Sequence, residues 1–506
     1  MTVTGGARPS AEINRPMILA TITLSTMVVV LDMSITVIAL PHMQGGLSAT
    51  ADQVAWVMTS YIVTMSIMIA YTGWLASRIG RRRLYIASTV LFTVGALLSG
   101  SADSLTELVI YRSLQGAAAA PAFPLGQAII LDTFPRERHG QALAYWGVGI
   151  MVAPVTGPIL GGYITEIFDW RWVFFLGAPL GITSVLLASK YLIDVGEDRQ
   201  RKFDWLGFIA LAAVLGAAQL MMDRGQRVGW FESTEIVIEA TIVALGLYIL
   251  IVHILTSRNP YLPPALFTDR NYMLGLVFSF VLGTFVLSGN YVLTLFLQNI
   301  QGYPVMSAGM ILTPRAVGTL VALIAVGRLI MHLDARILIA TGFAATAVSS
   351  LMLAQINADV GVLQFSIAAF LNGFGTGCIW APMMTLMFST LHRQYRTEGS
   401  MLVNLTRSYG SGLGISIAAV VLTRSQSVAY SELTEYITPY REALQLPDAA
   451  GQWSLETASG LAALQVEVSQ QAFMFGVLNN FLWAFVAAGI ALPLVALFRR
   501  DAEAAN

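Results

Sequence analysis

The sequence predicts an all-α integral membrane protein with about fourteen transmembrane helices. Of its 506 residues, 56% are hydrophobic and only 11% are charged, which leaves too few polar side chains to cover a soluble globule. Apolar runs of about 20 residues, the length that crosses a bilayer, recur from near the start of the chain to near its end. Most of the chain is therefore expected inside a membrane.

The predicted spans follow these apolar runs. They are 17–41, 53–76, 84–100, 107–131, 141–166, 172–193, 206–222, 236–256, 272–297, 308–331, 337–356, 362–390, 401–423 and 472–498. The first run is too long for a signal-peptide core and lacks a small-residue cleavage site, so we expect it to remain as the first span. Most of the 28 lysines and arginines fall in alternate loops on the side of both termini, which predicts cytoplasmic termini.

Composition also narrows the class of function. The net charge is −1 and no basic face is visible, which argues against nucleic-acid binding. Cys378 is the only cysteine, so we expect a small buried thiol and no intramolecular disulfide. The sequence shows no metal-ligand cluster, phosphate-binding loop or nucleophile with a base. Accordingly, we expect neither an enzyme nor a bound cofactor.

Asp32 stands inside the first apolar run. A carboxylate near the middle of a spanning helix costs about 2.5–3.5 kcal/mol on insertion scales, so such residues usually face a protein interior or a wet cavity. Asp32 is therefore a candidate proton-carrying group. The alternative is a structural acid that caps a break or pairs with an arginine.

Arg112 lies in the fourth run, at a depth comparable to that of Asp32. The two side chains are expected to be partners, directly or through water. An arginine that approaches or leaves a carboxylate changes how tightly the carboxylate holds a proton, so the pair could couple proton binding to movement. The alternative for Arg112 is a role in joining helices through backbone carbonyls.

Two short motifs join the spans. The turn from Gly73 to Leu84 reads GWLASRIGRRRL, in which Gly80 permits the bend and arginines such as Arg81 anchor the loop inside. Span five contains APVTGPILGG. Its Gly157 and Gly161, one helical turn apart, allow a neighbouring backbone to approach closely, and its remaining motif residues are Pro154, Pro158 and Gly162. The prolines weaken the helical hydrogen bonds and favour a bend.

These motifs, in this order, resemble the major facilitator superfamily, and specifically its fourteen-span drug:proton antiporter branch of the EmrB/QacA type. The resemblance extends over nearly the whole chain, through LDMSITVIALP (31–41), WVMTSYIVTMSI (56–67), DWRWVFFLGAPLG (169–181) and NLTRSYGSGLG (404–414). It implies the major facilitator fold, with two six-helix bundles and two additional helices. The implied divisions are 1–193, a linker and helix pair at 194–271, and 272–506 with a long outer loop at 424–471.

The resemblance further implies a proton-coupled efflux transporter of the bacterial inner membrane. It would export amphipathic or cationic compounds by alternating access, driven by the proton gradient without a cofactor, with Asp32 and Arg112 as the proton-coupling pair. Residues expected to line a substrate cavity are Tyr61, Tyr145, Trp146, Asn290, Tyr291, Gln298, Trp380, Met383 and Met384. The rival functions are a nutrient or peptide symporter on the same fold, and a membrane enzyme or receptor.

Two alternative functions are predicted for the outer loop at 424–471. An amphipathic helix is expected at 455–468. The loop is expected to dock a periplasmic adaptor protein that leads to an outer-membrane channel, or else to shield the cavity mouth.

The chain departs from the family pattern in two places. Ser77 replaces an acid, so Asp132 or Glu137 is expected to hold the arginines of the turn instead, and Gly177 replaces an asparagine.

Three further ionisable residues lie within spans. Glu239, Arg315 and Arg407 are expected to be structural, with Glu239 at a lipid edge or in a pair.

Overall fold

A computed structural model describes residues 14–193, 204–257, 262–357, 360–392, 395–438, 453, 455 and 457–499. Within these ranges the chain is helical and has no strand. Fourteen helices in the described part are long and apolar enough to span a membrane. The predicted all-α, multi-span architecture is therefore confirmed.

We number the spanning helices α1 to α14. The first seven are Arg15–Gly46, Gln53–Ile79, Arg81–Gly100, Leu105–Thr133, Arg136–Ile167, Trp172–Tyr191 and Trp205–Gly225. The second seven are Thr234–Thr256, Arg270–Asn299, Gly309–Leu329, Ala335–Leu353, Val362–Ser389, Arg396–Glu435 and Ala458–Leu497. Each contains or overlaps the corresponding predicted span.

Side chains at the helix starts satisfy free backbone N–H groups, as helix ends require. Thr50 caps α2, whose helical residues begin at Ala51, with a capping box, in which its hydroxyl accepts from the Gln53 N–H while Gln53 accepts from the Thr50 N–H. The side chains of Ser104, Asp204 and Thr457 each accept one backbone N–H at the starts of α4, α7 and α14. In α4 the helical assignment is interrupted at Ala120 and Pro121, where the proline lacks an N–H donor.

The predicted outer loop at 424–471 contains helical segments at both ends. Helix α13 continues to Glu435, and α14 already begins at Ala458. The amphipathic helix expected at 455–468 forms the start of α14 from Ala458 onward. A helix of 40 residues is about 60 Å long at 1.5 Å per residue, twice the roughly 30 Å of bilayer hydrocarbon. Apolar length therefore marks only the membrane-embedded part of these helices, and residues 439–452, 454 and 456 lie outside the described part.

The chain divides into two compact units. The first contains Met1–Tyr272 with Gly327–Met331 and Phe388–Leu405, and the second contains the remaining segments. In the first unit α1 packs on α5 and α6, α2 on α4 and α7, and α3 on α4 and α6. Helices α7 and α8 pair with each other, and α7 joins them to α2. In the second unit α11 packs along α14.

Close packing of α1 against α5 depends on the two glycines of the APVTGPILGG motif. A Cβ atom at Gly157 would lie 2.6 Å from Cβ of Ser34, and one at Gly161 would lie 3.3 Å from Cγ2 of Ile35. The close helix approach expected from their spacing is therefore present. Helix α5 runs without interruption across Pro154, and Gly162 is buried, whereas the side chain of Pro158 lies outside the described residues.

We expect Gly157→Leu and Gly161→Leu to destabilise the first unit. Overpacking of a close contact typically costs about 1–3 kcal/mol, and neither helix can yield without disturbing its other neighbours. The measurement is the thermal unfolding temperature of purified protein in detergent. Ile159→Leu is the matched control, since Ile159 lies on the same helix and is 54% exposed. Equal unfolding temperatures for all three variants would contradict the packing.

Candidate functional site

Asp32 and Arg112 form a direct ion pair inside the first unit. Arg112 Nη1 donates to Asp32 Oδ2 at 2.6 Å. Gln115, one turn along α4, completes the group: its Nε2 donates to Asp32 Oδ1 at 2.9 Å, and its Oε1 accepts from Arg112 Nη1 at 2.8 Å. Of the two arrangements left open by the sequence, direct contact and linkage through water, the structure has direct contact. We call Asp32, Arg112 and Gln115 the central triad.

The surroundings of the central triad hold the guanidinium on every side. Arg112 Nε donates to the Val57 carbonyl at 3.4 Å. Its guanidinium carbon lies 4.3 Å from the centre of the Tyr61 ring and 5.5 Å from that of Phe174, both within the range of cation–π attraction. Arg112 and Gln115 are 0% exposed, and Asp32 is 7% exposed. The triad is therefore a closed polar group in an apolar interior.

This hydrogen-bond pattern suits an ionised aspartate. Both oxygens of Asp32 accept, one from a charged donor and the other from an amide. Removing one partner of a buried ion pair typically costs about 3–5 kcal/mol, because the other charge stays buried and uncompensated. The addition of a proton to Asp32 would likewise leave Arg112 without its counter-charge. The arrangement can thus convert a protonation event into a change of helix contacts.

Gln115 was missed by the sequence reasoning. Its signal was available, since it lies three residues from Arg112 in an apolar span and so shares a helix face with it. Tyr61, expected to line a substrate cavity, is fully buried beneath Arg112, and its place in a cavity remains a prediction.

A second charged group lies at the α2–α3 turn, where Gly80 has a φ of +89°. Asp132, at the end of α4, binds both Arg81 of α3 and Arg396 of α13. Arg396 Nη1 also donates to the Leu131 carbonyl at 2.7 Å. Asp132 therefore holds an arginine of the turn, as expected, whereas Glu137 is exposed. We call Asp132, Arg81 and Arg396 the Asp132 cluster.

The absence of the family acid at Ser77 is compatible with a different arrangement of charge. The Ser77 hydroxyl donates within its own helix, to the Trp74 carbonyl at 2.8 Å. A carboxylate from α13 also approaches the motif: Glu398 is 4% exposed, and its Cγ would lie 3.4 Å from a Cβ atom at Gly73. Gly73 thus leaves room for an acid contributed by another helix.

The remaining cavity candidates fall into three groups. Trp146, Met383 and Met384 are buried, and Trp146 Nε1 donates to Thr26 Oγ1 at 2.9 Å; that they and Tyr61 line a cavity remains a prediction. Asn290 accepts from Arg315, which also donates to the Val286 carbonyl. The more accessible candidates, which remain predictions, are Tyr145, Tyr291, Gln298 and Trp380.

One of the two expectations for Glu239 placed it at a lipid edge. In the structure Glu239 is buried instead. It is 7% exposed, and its Oε2 has no hydrogen-bond partner among the described residues. The cause is the tight packing of α8 on α7, which encloses this face of the helix. Apolar residues elsewhere around α8 are exposed, and sequence alone could not assign the enclosed face.

Fourteen apolar helices in the described part of the chain, with a paired acid and arginine buried inside the first unit, define a polytopic membrane protein of the transporter class. A family model described as Major Facilitator Superfamily matches residues 22–415. The chain belongs to the major facilitator superfamily, and its relatives confirm the EmrB-type branch recognised from the sequence motifs.

The relatives are similar over almost their whole length. The multidrug export protein EmrB of Haemophilus influenzae is 33% identical over 95% of this chain and 94% of the relative. EmrB of Escherichia coli K12 is 32% identical over 94% and 93%. The fatty acid resistance protein FarB of Neisseria gonorrhoeae is 31% identical over 92% of each.

Solved structures agree with the fold. The human organic anion transporter MFSD10 (TETRAN) has a TM-score of 0.60 at 11% identity, over 94% of this chain and 99% of that chain. The proton:xylose symporter XylE has a TM-score of 0.59 at 13% identity, over 96% and 99%. At these identities the likeness concerns the fold alone.

We expect Asp132→Asn to loosen the start of α13. Charge-assisted hydrogen bonds contribute about 1.5–3 kcal/mol each, and a loss of about 1.4 kcal/mol corresponds to a tenfold change in an equilibrium. Hydrogen–deuterium exchange of residues 396–405 should therefore rise on the order of tenfold. The control is Glu137→Gln at an exposed acid of the same region. Unchanged protection in Asp132→Asn would show that the Asp132 cluster does not hold α13.

Proposed function

We propose that this protein exports small amphipathic molecules, hydrophobic or cationic, in exchange for protons by alternating access. The observation that carries the proposal is the central triad: a carboxylate enclosed in the membrane part of the chain and held by an arginine of another helix. Intramembrane ionisable residues that face a protein interior usually mark ion or proton pathways. The protein needs no cofactor for this reaction, because the proton gradient drives it.

In the proposed cycle, Asp32 alternates between an ionised state, which pairs with Arg112, and a protonated state. Ionised Asp32 keeps α1 and α4 together through Arg112 and Gln115. Protonation cancels the carboxylate charge, and the Arg112 guanidinium then relies on the Val57 carbonyl and the Tyr61 ring. Differential stabilisation of two states by proton binding is what a coupled transporter requires.

The Asp132 cluster supplies a gate in this proposal. Its three residues come from α3, α4 and α13, so the ion pairs must break before these helices can separate at the α2–α3 turn. Glu398, enclosed beside Gly73, takes part in the same closed arrangement.

The direction of transport is supported by the relatives. The two EmrB proteins are named for multidrug export and FarB for fatty acid resistance, and drugs and fatty acids share an amphipathic character. The alternative is proton-coupled uptake, because the symporter XylE has the same fold. The direction of proton-driven flux in proteoliposomes decides between the two.

The proposed location is the bacterial inner membrane, in contact with its lipids, with both termini in the cytoplasm. The arginine-rich α2–α3 turn supports this topology, since short cytoplasmic loops carry the excess of positive charge. We further propose that residues 1–193 and 272–506 form the two six-helix bundles and that 194–271 carries the additional pair, α7 and α8.

The proposed macromolecular partners are a periplasmic adaptor protein and an outer-membrane channel. Support comes from the length of α13 and α14, whose facing ends at Glu435 and Ala458 extend beyond a membrane-spanning length. The segment between them would then dock the adaptor. No role for nucleic acid is proposed.

We expect Asp32→Asn to fold and insert but to lose proton-driven export, down to the level of liposomes without protein. The amide keeps the shape of the carboxyl group but cannot ionise. Substrate binding and energy-independent exchange should persist. The measurement is export by reconstituted protein under an imposed proton gradient, with Asp103→Asn as an exposed control. Export by Asp32→Asn at the wild-type rate would remove Asp32 from the mechanism.

Arg112 variants separate coupling from helix joining in the same assay. Arg112→Ala should abolish coupling, whereas Arg112→Lys should keep part of it, because lysine retains the charge but not the planar fork. Full activity in both variants would support a role in joining helices alone.

We expect replacement of residues 439–456 by a Gly/Ser linker of equal length to separate docking from shielding. The change spares the helical parts of the former loop, which end at Glu435 and begin again at Ala458. Docking predicts lost resistance in cells with transport intact in proteoliposomes, and a lid predicts loss in both. Resistance retained in cells would count against both roles.

A further inference from the structure

Glu239 is a buried acid that the proposed cycle does not use. It lies on α8, in the second helical turn after the 3₁₀ turn Trp230–Glu232. The residue is 7% exposed, and its Oε2 is enclosed without a hydrogen-bond partner in the described part of the chain. An ionised carboxylate without donors is expensive in an apolar interior. The observed surroundings therefore suit the neutral, protonated acid.

Near the turn that joins α7 and α8, one guanidinium interacts with two carboxylates. Glu235 and Glu239 are four residues apart on α8, so their side chains are neighbours on one helix face. Arg224 of α7 forms an ion pair with Glu235. Glu235 and Arg224 are also the charged groups that act on Glu239. Arg224 Nη1 donates to Glu235, and Oε2 of Glu239 receives no hydrogen bond in the described part of the chain.

The other acids of this region are occupied or lie in the turn. Asp223, next to Arg224 on α7, accepts a hydrogen bond from Thr59 of α2. Glu232 lies in the 3₁₀ turn beside Gly229, closer to the helix ends. Among Asp223, Glu232, Glu235 and Glu239, the last has the most buried side chain. Its Oε2 has no hydrogen-bond donor in the described part of the chain.

We propose that Glu239 is a second proton-binding site, separate from the central triad. Glu239 holds a proton while Arg224 pairs with Glu235. When Arg224 moves by one helical turn toward Glu239, the carboxylic acid releases its proton to water at the 229–233 turn, and the resulting carboxylate pairs with the guanidinium. Charge balances, because Arg224 remains protonated and only the proton of Glu239 leaves.

Helix α2 connects this site to the central triad. Trp56 and Thr59 face α7, where the Trp56 ring lies 5.4 Å from the guanidinium carbon of Arg224 and Thr59 donates to Asp223. Val57 and Tyr61 face α4 and contact Arg112. A shift of this stretch of α2 changes the surroundings of both arginines at once. The site therefore deepens the proposed proton exchange by adding a second coupled proton.

Infrared difference spectroscopy of the purified protein in lipid tests the site without any substrate. The carbonyl-stretch band of a protonated carboxylic acid should be present at neutral pH and lost in Glu239→Gln. It should persist in Glu432→Gln, an exposed acid of α13, and in Asp32→Asn. In Arg224→Gln the band should persist into alkaline pH where it disappears from the wild type, because the guanidinium that stabilises the carboxylate is gone.

A band that is absent from the wild type, or unchanged in Glu239→Gln, would overturn the site. Thermal unfolding of each variant checks folding, and glutamine is nearly isosteric with the acid. Coupling is read separately in weakly buffered proteoliposomes, where Glu239→Gln should lower the number of protons exchanged per substrate and Asp32→Asn should abolish exchange. Equal stoichiometry in Glu239→Gln and the wild type would refute coupling. Because the infrared readout needs no transport, a failure of the proposed export function leaves its result unaffected.

Discussion

The ion pair between Asp32 and Arg112 is the constraint on which the arrangement of the first unit depends. Two opposite charges in an apolar interior are tolerable only in contact with each other and with further polar partners. Gln115 supplies the partner for the free aspartate oxygen, while the Val57 carbonyl and the Tyr61 ring hold the guanidinium. Helices α1, α2 and α4 are therefore fixed in register by electrostatics as well as by packing. The proposed cycle uses this dependence, because protonation of Asp32 removes the counter-charge of Arg112.

A shared acid or a shared arginine recurs in the first unit. Asp132 binds two arginines, from α3 and α13, and Arg224 pairs with Glu235 and also acts electrostatically on Glu239. In each case one charged group interacts with two groups of opposite charge. Helix α2 contacts both arginine sites and is the element best placed to relate them.

Much of the site was predictable because charged residues are rare in apolar spans. Asp32 and Arg112 could each be recognised from their position alone, whereas Asp132 was one of two alternatives, with Glu137, that followed from the family resemblance and the serine at position 77. Gln115 was less visible, since a neutral amide costs less to bury, and Glu398 was not singled out, because its approach to Gly73 depends on how α13 packs. The expected cavity residues Trp146 and Met383 are buried, and their assignment to a cavity remains a prediction, because residues that line a cavity and residues that pack a core have the same chemistry.

The sequence by itself determined the class of protein, the number of spans, the family and the identity of the buried charges. These follow from apolar length, composition and short motifs, which are local properties of the chain. Only the tertiary structure decided which oxygen meets which nitrogen, that α13 and α14 continue far past their apolar windows, and that Glu239 is enclosed by α7 rather than exposed to lipid. The physical reason is that side-chain partners and helix faces are set by contacts between residues distant in sequence, which no local pattern records.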